Sequence, residues 1–375
     1  MVVDLKESRK KIDNIDKEIA KLFEERMKVA TDVAAYKRST GKKVFDPVRE
    51  EEKIKTLREL TTDEFNKTGI EDLFRQIMSI SRKYQYKVLG SETNELLPFK
   101  QVDKLDVDKD TRIVCFGEHG AYTEQAMEEV FGTDITSMNR LSFKEVLETV
   151  ANGEAKYGVI PIENTSTGGI NDTYDLLLDY DITIVAEHVV KVEQALLGKP
   201  GAKISDIKKV YSHPQGIMQC SKFIREQGME SESYMSTSSA AKKVAEEDDI
   251  SQGAIASTRA AKIFGLDVLK ESINFENSNY TRFIIVTNQK VFLSNANKIS
   301  LSFEIKHQAG ALYNMLSNFY YNDLNLTKIE SRPIENRNWE YQFFVDIEGN
   351  LNDPGVRNAL ACISECAKQL TILGN

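Results

Sequence analysis

The first 89 residues hold one proline, Pro47, and two glycines, Gly41 and Gly69, so nothing interrupts a helix before Gly41. Two apolar columns at heptad spacing run through that stretch. Leu5, Ile12, Ile19 and Val33 form one, and Ile15, Leu22, Val29 and Tyr36 the other, which predicts a single helix over about residues 4 to 39. At about 1.5 Å per residue it would be roughly 54 Å long. Two shorter helices are predicted after it: Asp46 and Pro47 supply an N-cap and a first helical residue, and Ile70 opens a third helix that reaches about Val88. Neither covers the long helix along its whole length, so its seam predicts a second copy of the chain.

The seam is interrupted by charge. Its first column passes through position 26, which is Arg26, and no carboxylate shares that column to offset the cost of a cation there. Lys37 follows about 20° around the helix and roughly 16 Å further along, so the two cations can converge on a ligand with two carboxylates. Arg9 points about 100° away from Arg26 and suits a site shared across a dimer. The third helix repeats the pattern with neutral groups: its stripe of Ile70, Phe74, Ile77, Tyr84 and Val88 is broken by Ser81 and Gln85. With Arg49 and Glu50 in the first turn of the second helix, these residues predict a polar pocket inside a helix bundle.

Charge balance agrees with a small anionic ligand. Residues 1 to 89 carry 21 Lys+Arg and 17 Asp+Glu, net +4, which leaves 28 and 41, net -13, for the rest of a 375-residue chain of total charge -9. That excess is too mild for nucleic acid, and no nucleic-acid motif accompanies it. Neither a membrane span nor a signal peptide is visible, so a cytoplasmic protein is expected. The four cysteines, Cys115, Cys220, Cys362 and Cys366, are too scattered for a disulfide framework or a metal site and are expected as free thiols.

The run of Arg9, Ile12, Asp16, Glu25-Arg26, Lys37, Asp46, Arg49-Glu50, Ser81 and Gln85 resembles the helical chorismate mutase family. The resemblance implies that Arg26, Lys37 and Arg9 of the other subunit hold the substrate carboxylates. It implies Lys37 and Gln85 at the ether oxygen, Glu50 at the hydroxyl, and Asp46, Arg49 and Ser81 in support. A pericyclic rearrangement of chorismate to prephenate needs a compact conformer and stabilised charge on the breaking C–O bond, with no nucleophile.

From Thr111 the texture changes to strand, turn and helix: Arg112 to Phe116, Tyr157 to Ile162, Lys209 to Tyr211, Gly253 to Ala256 and Arg282 to Thr287 read as strands. Gly117 to Gly158 and Ser212 to Gly253 are each 41 residues apart, which predicts two related α/β lobes with a cleft at the strand ends. Four polar turns fall there: Gly117 to Thr123, Pro161 to Gly168, Ser212-His213-Pro214-Gln215, and Asn279 to Phe283. In order and spacing they resemble prephenate dehydratase, whose most diagnostic string, Thr-Arg-Phe, is Thr281-Arg282-Phe283 here. The resemblance implies Thr281 as the essential hydroxyl and places Glu163, Asn164, Thr165, Ser212, Gln215 and Phe283 around the substrate. Arg282 would bind a carboxylate or support Thr281, and Glu163 would relay a proton to it. His213 stays outside the catalytic set.

Residues 299 to 374 read as strand, helix, strand, strand, helix, strand, a ferredoxin-like order. Gly310-Ala311-Leu312 and Glu330-Ser331-Arg332-Pro333 resemble the ACT regulatory domain of phenylalanine-sensitive dehydratases, which implies L-phenylalanine held by the two strings across a subunit interface. The expected organisation is a helical mutase domain at 1–90, a linker at 91–110, a two-lobed α/β dehydratase domain at 111–290 and an ACT domain at 298–375. No cofactor or metal is expected, the partners are chorismate, prephenate and L-phenylalanine, and the assembly is a homodimer or a homotetramer. A fusion with prephenate dehydrogenase would need a nucleotide fingerprint that the sequence lacks. A two-lobed aromatic-acid sensor without turnover is the alternative.

Overall fold

The computed structural model describes residues 4–89, 98–275, 278–334, 337 and 339–375. The long helix forms as predicted: α1 spans Leu5–Thr40, with the Asp4 carboxylate accepting from the Lys6 and Glu7 N–H groups and Gly41 closing it at φ +67°. Its buried residues are Ala30 and Ala34, while the seam residues stay exposed, from 39% at Val33 to 63% at Leu22. The Asp46 side chain caps α2 (Pro47–Glu59) by accepting from the Arg49 N–H at 3.0 Å. The third helix, α3 (Glu64–Leu89), starts earlier than predicted. Asp63 accepts from the Phe65 N–H at 2.7 Å, and this cap carries the helix through Gly69. Arg75 ties the two helices by donating to Glu51 at 2.7 Å and Glu71 at 2.9 Å.

The expected linker is structured over its described part. β1 (Lys100–Val102) pairs in parallel with β13 (Val291–Leu293), and the Tyr157 hydroxyl donates to the Asp106 carbonyl at 3.2 Å. Residues 90–97 lie outside the described residues. In chain order there follow β2 (Arg112–Phe116), α4 (Tyr122–Phe131), β3 (Thr136–Arg140), α5 (Phe143–Ala151), β4 (Tyr157–Asn164), β5 (Gly168–Gly169), α6 (Asn171–Asp179) and β6 (Thr183–Lys191). The chain then crosses to β7 (Ala195–Gly198), β8 (Lys209–Ser212), α7 (Pro214–Gln219), α8 (Ser221–Glu226), β9 (Glu230–Ser233), α9 (Thr237–Glu246), β10 (Gln252–Ala256), α10 (Thr258–Phe264) and β11 (Asp267–Lys270). It returns through β12 (Tyr280–Thr287) to the first lobe.

The repeat read from the 41-residue spacing is real in three dimensions. The first lobe has strand order β3-β2-β4-β12-β6 and the second β9-β8-β10-β7-β11; in each, three parallel strands are followed by two linked by antiparallel pairing. Each lobe therefore presents the C-terminal ends of its parallel strands, where polar turns collect. The core of the first lobe gathers Ile113, Cys115, Met127, Val159, Val185, Phe283 and Ile285, and that of the second Leu197, Ala240, Val244, Ala254 and Ala260.

The C-terminal region is β14 (Lys298–Glu304), α11 (Ala311–Tyr320), β15 (Leu326–Pro333), β16 (Tyr341–Glu348), α12 (Pro354–Cys366) and β17 (Gln369–Gly374). Its strand order, β15-β16-β14-β17, is that of a ferredoxin-like layer. Compactness cuts across chain order, since the N-terminal helices group with residues 302–370, and residues 99–301 group with 371–375. Within the first unit α3 packs on α12. Lys83 is buried there, donates to the Ser317 carbonyl at 3.1 Å, lies 3.5 Å from the Tyr321 ring centroid, and is pushed by burial down to about 8. All four cysteines are free, and burial pushes Cys115, Cys220 and Cys362 up to about 12. No described helix is long and apolar enough to cross a membrane.

Candidate active sites

The three N-terminal helices surround a cavity of about 240 Å³ lined by Arg26, Lys37, Asp46, Arg49, Glu50, Ser81, Arg82 and Gln85. Residues up to 59 positions apart in sequence thus meet as expected, from Arg26 to Gln85. Two of their polar atoms, Arg26 Nη1 and Gln85 Oε1, are buried with no hydrogen-bond partner among the described residues. Such atoms are costly unless a ligand meets them. Burial holds Arg26 below its usual range against the opposing pull of Glu50, and lowers Lys37 against Asp46, Glu365 and Glu50. The Lys37 ammonium rests on the Val44 carbonyl, and the Gln85 amide donates to Ser81 Oγ at 3.4 Å.

Asp46 lines the cavity and, as the sequence predicts, caps α2, while Arg49 is exposed at its edge with a 3.8 Å contact to Glu52. Arg82, which sequence reasoning missed, donates to both Glu50 oxygens at 2.5 Å while its guanidinium lies 4.7 Å from the Phe45 ring centroid. Its signal was faint, one position after Ser81 on a helix full of charge. Arg9 does not line the cavity of its own chain.

In the two-lobed unit, β4 and β12 run antiparallel with Thr281 opposite Asn164 and Arg282 opposite Glu163. Because neighbouring side chains alternate across a strand, Asn164 and Thr281 share one face, and Glu163 and Arg282 the other. The hydrogen bonds follow that division. The Asn164 amide donates to Thr281 Oγ1 at 2.9 Å, to Asn279 Oδ1 at 2.8 Å and to the Tyr280 carbonyl at 3.1 Å. Arg282 donates to Glu163 at 3.0 Å and to Glu187 at 3.0 Å. Glu163 is thus drawn toward a guanidinium rather than toward Thr281, which fits an anchoring acceptor better than the expected proton relay. Phe283 needs the other correction: it is 2% exposed inside the first lobe's core, so its ring packs the strand instead of touching substrate.

The second lobe contributes from β8. Ser212 is fully buried and donates to the Ile255 carbonyl at 2.6 Å, and Gly216 lets α7 approach it, since a Cβ there would lie 2.5 Å from Ser212 Oγ. Gln215 spans the lobes by donating to Thr167 Oγ1 at 3.2 Å, while Thr165 donates to the Ser278 carbonyl at 2.8 Å. Further contacts close the lobes: Ser238 donates to the His119 carbonyl, and Arg259 reaches Glu124 at 3.0 Å and Glu128 at 2.6 Å. His213 caps α7, and burial pushes its imidazole down, toward the neutral form. Asn279, 1% exposed with an unpartnered Nδ2 among the described residues, is a candidate that the sequence showed only as part of a turn.

In the C-terminal layer, Gly310 starts α11 at φ +76°, with nothing within 4 Å of where a Cβ would stand. Gly310, Ala311 and Leu312 line a cavity of about 410 Å³ with Trp339, Tyr341 and Phe343. Glu330, Ser331, Arg332 and Pro333 lie on β15 and are not part of that lining, so one chain does not bring the two strings into one cavity.

Residues 8–86 match the family model for chorismate mutase type II, and residues 113–291 match that for prephenate dehydratase. The bifunctional chorismate mutase/prephenate dehydratase of Aquifex aeolicus (strain VF5) is 32% identical over 378 residues, covering 99% of this chain and 97% of that protein. A solved prephenate dehydratase in complex with L-Phe, from Arthrobacter aurescens, superposes with TM-score 0.66 at 29% identity over 70% of this chain and 89% of that one. A structure described as GqqA, a novel type of quorum quenching acylase, gives TM-score 0.65 at 30% identity over 70% and 96% of the two chains. A sensor without turnover does not fit a chain that matches two catalytic families. With both matched, and a relative aligned over nearly all of both chains, the protein belongs to the bifunctional chorismate mutase/prephenate dehydratase family and makes prephenate from chorismate and phenylpyruvate from prephenate.

Proposed function

We propose that the two reactions run at two separate sites. The unpartnered Arg26 and Gln85 atoms in the cavity that also holds Lys37 carry this reading. Arg26 and Lys37, with Arg9 of a second subunit, hold the two carboxylates of chorismate in the compact conformer; Lys37 and Gln85 meet the ether oxygen, Glu50 the hydroxyl, and Ser81 orients Gln85. The exposed seam of α1 is the face on which a second subunit brings Arg9, giving a dimer or a tetramer built from it.

For the second reaction, loss of CO2 and hydroxide makes the ring aromatic, so the enzyme supplies orientation and one hydrogen-bond donor. Thr281 is that donor. Its oxygen accepts from Asn164, which leaves the O–H proton for the departing hydroxide. Thr165 and Gln215 orient prephenate, Ser212 holds β8 to β10 beneath them through the Ile255 carbonyl, and Glu163 and Arg282 brace the strands behind Thr281. Incubation with chorismate is expected to yield prephenate and then phenylpyruvate; absence of phenylpyruvate even from supplied prephenate would refute the assignment of the second site.

The C-terminal layer is the proposed ACT domain. A dehydratase relative is solved with L-Phe, and here the open approach to Gly310 suits a ligand's backbone groups. L-phenylalanine would sit between Gly310-Ala311-Leu312 of one subunit and Glu330 to Pro333 of another, and feedback inhibition would follow from its binding. Arg332→Ala is expected to blunt inhibition of the dehydration by phenylalanine while uninhibited turnover stays near wild type; an unchanged inhibition curve would remove these strings from the effector site.

A further inference from the structure

Behind Thr281 lies a row of alternating charges that the reaction, as derived above, does not use in full. Glu163 on β4, Arg282 on β12, Glu187 on β6 and Lys298 on β14 form it. Arg282 Nη2 donates to Glu163 Oε2 at 3.0 Å, Arg282 Nη1 donates to Glu187 Oε2 at 3.0 Å, and the Lys298 ammonium donates to Glu187 Oε1. The Arg282 side chain is 12% exposed, against 27% for Lys298, 33% for Glu187 and 37% for Glu163, so the guanidinium is the most enclosed member of the row. Register explains the reach: Glu187 stands opposite Ile284, one same-face position along β12 from Arg282.

We infer that Glu187 is a positioning residue for the dehydratase reaction: held by Lys298, it fixes Arg282 and thereby the β4–β12 junction that carries Asn164 and Thr281. The inference rests on the proposed role of Thr281 and its neighbours. The row sums to zero charge, and each carboxylate oxygen used has a distinct donor, so the guanidinium has one orientation that satisfies both sides. Removing the Glu187 charge leaves Arg282 and Lys298 as two cations with one carboxylate. Arg282 then turns toward Glu163 and pulls on β4 at the residue next to Asn164. Burial works to raise the Glu187 carboxyl, but Lys298 and Arg282 outweigh it and hold the group below its ordinary range, so it is an anion at neutral pH.

The test compares Glu187→Gln, Lys298→Met, the double variant and Arg282→Met in the full chain. Conversion of prephenate to phenylpyruvate gives kcat and KM, and thermal unfolding together with chorismate rearrangement reports folding. For Glu187→Gln, kcat is expected to fall about tenfold to a hundredfold, as for a small displacement of a reacting group, with KM moving less than about threefold. Lys298→Met should lose less in the same direction, and the double variant should be no worse than Glu187→Gln, because both changes cut one row. Wild-type kcat in Glu187→Gln beside an impaired Arg282→Met would overturn the inference and leave the site reading intact. Wild-type kcat in Arg282→Met would overturn the site reading itself. Should Glu187→Gln fold poorly, Lys298→Met decides: unchanged kcat there, or losses that add in the double variant, count against the row.

Discussion

Arg26→Ala is expected to lower chorismate rearrangement by roughly two to three orders of magnitude, the cost of leaving a substrate carboxylate without its buried cation. Dehydration of supplied prephenate should continue at the wild-type rate, since none of its residues lies in the helical segment. The loss should not come through unfolding. In the unliganded chain Arg26 is a liability, with Nη1 buried and unpartnered among the described residues and its charge opposed by burial, so its removal should leave the melting temperature level or raise it. Rate and stability would then move in opposite directions, which no general loss of structure can imitate. The same variant tests the shared site. If Arg9 serves a second subunit's pocket, Arg9→Ala and Arg26→Ala chains are each inactive, yet mixed dimers own one intact site in two, so remixing equal amounts restores about a quarter of wild-type mutase activity. No recovery after verified subunit exchange would put Arg9 outside the site.

What the sequence made legible was whatever repeats or interrupts a repeat. The heptad columns of α1 declared both the helix and Arg26 as the residue out of place, and the equal spacings in the central region declared two lobes that share one strand order. The parts it hid are those that depend on which strands become neighbours. Phe283 reads as part of a diagnostic string, but only the pairing of β12 between β4 and β6 shows that its ring faces the core. Glu187 sits in an ordinary alternating strand and meets Arg282 only because β12, 95 positions later in the sequence, is inserted beside it. Arg82 and Lys83 are adjacent on α3, one turned to Glu50 and the other to Ser317, and nothing local separates those fates. Grouping of the N-terminal helices with residues 302–370 is likewise a matter of long-range packing, which a linear domain count cannot express.

Thr281→Ala should produce the reverse separation, a fall in phenylpyruvate formation of about 10²- to 10³-fold, in the range for loss of a positioned proton donor, with chorismate rearrangement unchanged. The structural cost is expected to be small. Asn164 keeps two acceptors when Thr281 Oγ1 is gone, the Asn279 side chain at 2.8 Å and the Tyr280 carbonyl at 3.1 Å, so no buried amide is stranded. What disappears is one hydroxyl whose oxygen is fixed by Asn164 and whose proton remains free to donate. Thr281→Ser keeps that group and loses only a methyl, so it should retain activity within about tenfold of wild type, the loss coming from a less restricted χ1. Asn164→Ala should then cost the reaction through Thr281: combined with Thr281→Ala it should be little worse than Thr281→Ala alone, because the two residues act as one donor unit. If the two losses instead multiplied, Asn164 would be contacting prephenate on its own account, and the hydroxyl would owe its orientation to something other than this bond.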